Sequence, residues 1–277
     1  MMVSAEKSVE SVMGAAEHQP DAYLVKPITE GVLLTRLNRA WHRKQVFRPI
    51  DQAYAEKDYL RAARLCDEQI AAILLKGMTV EYLMQRCYPV KAGQFVLMHA
   101  AAGGVGLLAG QWGRHIGAHM IGVAGGADKV ALAKQNGYEF CIDRKSEDIA
   151  AKVKEITSGS GVPVVYDSVG KDTWDKSLDC LQPFGLLASF GNASGPVPPF
   201  SPGILAAKGS IYVTRQTLFT HMSNRETCQS MADDLFDVVG RGLVKIPIDQ
   251  TYPLEKVQQA HIDLESRKTT GCTIITL

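Results

Sequence analysis

The 277-residue sequence predicts an α/β fold, a doubly wound parallel sheet preceded by a short, mostly helical N-terminal segment. Two observations carry this. From about residue 70 onward, apolar β-type runs alternate with helical stretches, a pattern that demands βαβ crossovers and hence parallel strands. The first of those runs leads directly into a glycine-rich turn and a helix. Before residue 70 the sequence holds short helical patterns and few strand signals.

The elements follow in order. Gln94–Ala100 (QFVLMHA) reads as a first buried strand, and GVGLLAGQWGRHIG as the helix after it. HMIGVA is strand two, ADKVALAKQNG a helix closed by Gly137, and EFCID strand three. SEDIAAKVKEITSG is the next helix, with Ser146 expected as its N-cap and Glu147 and Asp148 in the first turn, where the helix dipole favours acids. PVVYDSVG is strand four, DTWDKSLDCLQ a helix, GLLASFGN strand five and GSIYVT, Gly209–Thr214, strand six. Helices through SMADDLFDVVGRG and LEKVQQAHIDLESR and a last strand, CTIITL, complete the chain. Internal repeats and low-complexity tracts are absent from the sequence.

Thirty basic against twenty-nine acidic side chains leave a net charge of +1, so no global field draws in nucleic acid or an anionic membrane. The six cysteines are scattered, with no C-x-x-C pair and no Cys/His grouping at metal-ligand spacing, so no metal is expected. The first twenty residues lack an apolar core of signal-peptide length. Ala92–Gly113 carries no formal charge, but its six glycines, His99 and two glutamines fit a strand, a turn and a helix start rather than a membrane span. A cytoplasmic protein is the expectation.

The most informative residues are Ala101-Ala102-Gly103-Gly104-Val105-Gly106. They match G-x-G-x-x-G with alanine at the first glycine, between a strand and a helix. There, free backbone N–H groups and the positive end of the helix dipole meet a dinucleotide's pyrophosphate. Gly103 lets the backbone approach the phosphates, and Gly106 lets the helix pack on the strand. This is a Rossmann-type site. The end of strand two indicates which nucleotide. An NAD site places an acid about twenty residues beyond the motif, to hold the ribose 2′-hydroxyl. Here the segment is Val123-Ala124-Gly125-Gly126-Ala127-Asp128-Lys129, in which Asp128 is equally well placed as the next helix's N-cap. Lys129 and Arg144 supply positive charge suited to a 2′-phosphate; the alternative is that both are solvated surface charges. NADPH is the expected cofactor.

With LLKGMTVEYL, HAAAGGVGLLAGQWGRHIGA, VVYDSVGKDTWDKSLDCLQPFGLLASFGNASG, GSIYVTRQTL and LESRKTTG, the stretch from about Ile70 to Leu277 resembles the zinc-independent NADPH:quinone oxidoreductases of the medium-chain dehydrogenase/reductase superfamily. The resemblance implies that Thr79 sits by the nicotinamide–ribose half and that Gly103, Gly104 and Val105 cradle the pyrophosphate. It implies that Lys129 and Arg267 hold the 2′-phosphate, where Arg144 stands in place of the family's frequent tyrosine. Ser168, Phe190 and Gly191 would line the cofactor cleft, and Arg215 would lie near the nicotinamide. Competing expectations stand beside four of these. Thr79 can bond its own helix backbone, Ser168 can cap the following helix, Phe190 can be plain core, and Arg215 can form an edge salt bridge. The implied reaction is direct hydride transfer from NADPH to a quinone or enone, by a homodimer. Strand six, apolar and expected at a sheet edge, is the pairing surface.

The resemblance also implies a separate β-rich domain ahead of the cofactor domain, carrying most substrate-facing residues. Residues 1–68 show nothing like it, so no catalytic acid or base is assigned. Asp21–Lys44 instead resembles the last strand and helix of a response-regulator receiver domain, with Lys26–Pro27 matching its switch lysine and proline. Ala53–Glu68 resembles one tetratricopeptide-type helix. The expected division is a receiver-like fragment over 1–50, a helical junction over 51–70 and the NADPH-binding domain over 71–277. Two other functions follow from this: an NADPH-binding module impaired by a gene fusion, and a signalling or scaffold protein. The second is disfavoured because the receiver's acidic pocket and phosphate-accepting aspartate are missing from the sequence.

Overall fold

The computed structural model describes residues 2–4, 23–25, 49–50, 52–53, 55–246, 248–266 and 268–276. Two compact units are present, one comprising Met1–Cys66 with Asp237–Gly242 and the other Asp67–Phe236 with Leu243–Leu277. In the first, β1 (Met2–Ser4) pairs in parallel with β2 (Tyr23–Val25). The rest of the receiver-like stretch, with Lys26 and Pro27, lies outside the described residues. Helix α1 (Tyr59–Glu81) runs without a break through the junction expected near residue 70, and a π-helix (Tyr82–Cys87) continues it.

The second unit is built on six parallel strands: β3 (Phe95–His99), β4 (His119–Ala124), β5 (Phe140–Asp143), β6 (Val162–Asp167), β7 (Leu181–Ser189) and β8 (Tyr212–Arg215). Their spatial order is β5-β4-β3-β6-β7-β8, so the chain steps outward from β3, returns, and steps outward on the other side. The reversal falls between β3 and β6, which is where open α/β sheets bind ligands. The crossover helices are α2 (Gly104–Ile116), α3 (Ala127–Gln135), α4 (Ile149–Ile156) and α5 (Trp174–Cys180). Two short helices, α6 (Gly203–Ala207) and α7 (Leu218–His221), flank β8 and precede α8 (Arg225–Gly240). The C-terminal residues form a small parallel pair, β9 (Ile248–Pro253) and β10 (Cys272–Thr276), joined through α9 (Val257–Glu265). Sequence reasoning missed β9, whose IDQTYP is too polar to stand out as a strand.

Three helices start from caps other than those expected. Helix α4 is capped by Asp148, not Ser146; the Asp148 carboxylate accepts the Ala151 N–H at 2.8 Å. Helix α3 is capped by Gly126, which leaves Asp128 inside the first turn. Gly126 takes φ of 96°, a conformation that aspartate avoids. Helix α5 likewise starts from Thr173, not Ser168.

One face of the sheet buries Leu97, Ile121, Val165 and Leu187 against Val153 of α4 and Leu178 of α5. On the other face a single aromatic ring explains two glycines. Tyr138 is buried, and a methyl at Gly110 would lie 2.4 Å, one at Gly122 2.9 Å, from its ring. Its hydroxyl donates to the Gly106 carbonyl at 2.6 Å, tying α3's exit to the start of α2. Gly137, at φ of 99°, turns the chain into this position. Two outcomes follow for urea denaturation. Tyr138→Phe, which removes one hydrogen bond, is expected to cost about 1 kcal/mol. Gly110→Ala, which overpacks the ring, is expected to cost about 1–3 kcal/mol.

Candidate cofactor site at the strand reversal

The glycine-rich turn lies where the topology requires, at the C-terminal end of β3 and the start of α2. Gly103 is the N-cap, in an extended conformation, and Gly104, Val105 and Gly106 form the first turn of the helix. A methyl at Gly106 would lie 2.4 Å from the Ala100 carbonyl oxygen, so only glycine lets the helix meet the strand here. At Gly104 a methyl would meet the Lys76 stem at 2.6 Å and the Gly271 carbonyl at 2.8 Å. The Gly271 N–H donates to the Ala102 carbonyl at 3.2 Å, which brings the C-terminal residues against the turn.

Cations gather at the neighbouring strand ends. Arg144 Nε and Lys145 Nζ lie against Gly125 and Gly126, at 3.1 and 3.5 Å from the positions their side-chain methyls would take. Asp143 sets this arrangement. One carboxylate oxygen accepts the N–H groups of Gly126 at 2.8 Å and Lys145 at 3.0 Å, pinning the loop after β4 to the loop after β5. These backbone donors hold its carboxyl below the usual carboxylate range. An acid therefore does stand near the expected ribose position, but its charge is directed at backbone. Lys129 is half-buried, with Nζ 3.5 Å from the Thr269 carbonyl. Arg267 lies outside the described residues.

The other wall forms from the ends of β6 and β7. Gly191 packs on Ser168, where a methyl would meet the Ser168 carbonyl oxygen at 2.5 Å. The Phe190 N–H donates to the Asp167 carbonyl at 2.8 Å, and the Ala193 N–H to that of Ser168 at 3.1 Å. Arg215, at the end of β8, donates to the Ser189 carbonyl at 3.1 Å. Thr79 is buried in α1, and its hydroxyl donates to the Leu75 carbonyl at 2.6 Å. The structure thus groups Gly103–Gly106, sets Arg144 at the β4–β5 end, and joins Ser168, Phe190 and Gly191.

Several residues escaped sequence reasoning. Tyr82, at the start of the π-helix, stacks on His221 with ring centroids 4.7 Å apart, and burial pushes its phenol up to about 12. A second group is entirely buried. His99 ends β3 and Asp167 ends β6, and Ser177 of α5 bridges them. The Ser177 hydroxyl donates to Asp167 at 2.7 Å, so His99 Nε2, 3.0 Å away, is the donor to Ser177. Thr173 donates to the same carboxylate oxygen at 2.7 Å, and the Val169 and Gly170 N–H groups bond the other at 2.7 and 3.1 Å. This hub fixes the D-S-V-G turn that carries Ser168. Its signal in the sequence is a polar residue at the end of each strand flanking the reversal.

Residues 104–240 match the family model described as zinc-binding dehydrogenase. The quinone oxidoreductase of Pseudomonas aeruginosa is 50% identical over 208 residues, which cover 75% of this chain and 64% of that protein. Quinone oxidoreductase 1 of Escherichia coli is 46% identical over 223 residues, covering 80% and 68%. The chain belongs to the quinone oxidoreductase family. It spans about two thirds of the length of these relatives. A solved structure, Escherichia coli quinone oxidoreductase complexed with NADPH, superposes with a TM-score of 0.74 at 47% identity, over 76% of this chain and 65% of that one. The family model's name carries zinc, but among the described residues no three His, Cys, Asp or Glu side chains gather to hold a metal ion.

Burial holds the His99 imidazole below its ordinary range, chiefly by desolvation. The native state therefore keeps His99 neutral while the unfolded chain takes up a proton below about pH 6.5. The resulting stabilisation is complete above that value and is lost as the pH falls through the window beneath it. Thermal denaturation followed from about pH 7 to about pH 5.5 is expected to show falling stability. In His99→Gln that slope is expected to flatten.

Proposed function

We propose that the chain is an NADPH-dependent oxidoreductase of quinone reductase type, passing hydride from NADPH to a quinone or enone without a metal. The observation that carries this reading is the pairing of a glycine cradle at the strand reversal with Arg144 and Lys145 against the glycines that follow β4. The cradle fits a pyrophosphate, because its N–H groups open α2 and no Cβ stands between them and β3. The two cations fit a 2′-phosphate, which arginine grips through two parallel N–H donors. NADPH, when bound, supplies the hydride.

The chain's own residues bind and orient. Gly103–Gly106 receive the pyrophosphate, and Arg144 and Lys145, with Lys129, surround the 2′-phosphate; Arg267, expected to join them, lies outside the described residues. Ser168, Phe190 and Gly191 form the wall beside the nicotinamide half, with Arg215 and Thr79 nearby. Tight orientation is what such a site contributes, since a hydride moves only between closely positioned carbons. A second reading keeps the cofactor site without the activity. It is an NADPH-binding module whose turnover is impaired.

Homodimerisation and a cytoplasmic location complete the proposal. β8 is the outer strand of the sheet, and Tyr212 on it is 60% exposed, an apolar edge suited to pairing with its copy. Among the described residues no helix is long and apolar enough to cross a membrane.

Steady-state oxidation of NADPH with a simple quinone tests the activity. Turnover is expected, with a KM for NADPH that rises about tenfold in Arg144→Ala while kcat holds, because that contact serves ground and transition states alike. Binding without turnover would replace the enzyme reading with the module. Light scattering at micromolar concentration is expected to give the mass of a dimer, and a monomer would remove the edge-pairing proposal.

A further inference from the structure

Lys76 and Cys272 are brought together from opposite ends of the second unit, 196 residues apart in sequence. Lys76 Nζ lies 2.7 Å from Cys272 Sγ, and the thiol is its hydrogen-bond partner. Cys272 is 3% exposed at the start of β10, packed with Ala72 and Ile274. Lys76 is half-buried, and with Gly104, Leu107, Ile246 and Gly271 the pair lines a small surface cleft. The Lys76 stem passes over Gly104, in the first turn of α2, through space that a methyl there would fill. An ammonium group thus stands beside the phosphate-binding turn, parked on sulfur instead of on a carboxylate.

We propose that Lys76 and Cys272 form a reversible oxidative crosslink, a single oxygen atom bridging Nζ and Sγ, with dioxygen or a peroxide as oxidant. The ammonium first yields a proton to solvent. One N–H and the S–H bond then break while an N–O and an O–S bond form. With dioxygen, one oxygen atom becomes the bridge and the other leaves as water, a four-electron reduction matched by the oxidation at nitrogen and sulfur. With hydrogen peroxide, two molecules are consumed and three waters leave. Reversal takes four electrons, supplied in two steps by two dithiol molecules that each become a disulfide, and the bridging oxygen leaves as water. The separation of the two atoms is one that a single bridging oxygen spans. Selectivity among the thiols follows from their surroundings. The Cys272 sulfur has the Lys76 nitrogen 2.7 Å away at the edge of the cleft, which fixes the partner for the bridge.

The crosslink also removes a positive charge from beside Gly104, because a nitrogen bonded to oxygen is far less basic than an amine. Resting on the NADPH reading above, this makes the bond a redox control on cofactor affinity.

The test treats the full chain with hydrogen peroxide and reads intact mass, peptide maps and NADPH titration. The expected mass gains one oxygen and loses two hydrogens, with the peptides holding Lys76 and Cys272 joined, and dithiothreitol restores the starting mass. Cys272→Ser and Lys76→Arg are expected not to crosslink. NADPH binding by the crosslinked chain is expected to be roughly threefold to tenfold weaker, recovering on reduction. Oxygen found on Cys272 alone with the Lys76 peptide free, or no change at either, overturns the crosslink. A crosslink that leaves NADPH affinity unmoved overturns the control. Failure of the untreated chain to bind NADPH counts against the cofactor reading instead, since the mass measurement judges the bond independently.

Discussion

The reversal of strand order between β3 and β6 is the constraint on which the site depends. Where chain direction across the sheet changes, no crossover covers the C-terminal strand ends, and a crevice is left open. Two strand-end polar residues, His99 and Asp167, then face each other across the interior. A buried carboxylate at such a place needs donors, because an unpaired one is costly in a low-dielectric interior. Asp167 receives four: two hydroxyls from α5 and its N-cap, and two N–H groups from its own turn. In meeting that need the fold also shapes the turn that carries Ser168. Packing and site geometry are therefore one arrangement.

A second carboxylate works in the same manner at the other end of the crevice. Asp143 bonds two backbone N–H groups and so joins the loops that present Arg144 and Lys145. An acid beside the loop that follows β4 would ordinarily suggest the unphosphorylated nucleotide. Its hydrogen bonds direct it inward, and the charges left at the rim are positive. The reading of cofactor preference rests on the direction in which this one side chain is used, not on its presence.

Much of this architecture was legible in the sequence. The alternation of apolar runs and helical stretches located all six strands of the main sheet, and HMIGVA coincided with β4 residue for residue. The glycine-rich turn was legible because its chemistry is local: Gly103 and Gly106 act on residues a few positions away. Features built from distant residues were not. Nothing near Lys76 in the sequence points to Cys272, and nothing near Tyr138 announces that Gly110 and Gly122 are glycines on its account. The capping errors at Ser146 and Asp128 have another cause. Ser146-Glu147-Asp148 offers two residues able to cap, the serine and the aspartate, and backbone geometry, which sequence does not display, chose the second.

The central claim is that the cradle at the strand reversal, with the cations held by Asp143, selects a dinucleotide bearing a 2′-phosphate. Calorimetric titration of the full chain with NADPH, paired with NADH under the same salt, tests it most directly. The account predicts micromolar binding of NADPH and binding of NADH weaker by about tenfold or more, the difference a lost phosphate contact makes. Equal affinity for the two nucleotides would contradict the role given to the cations. Binding of neither would leave the fold standing without its function.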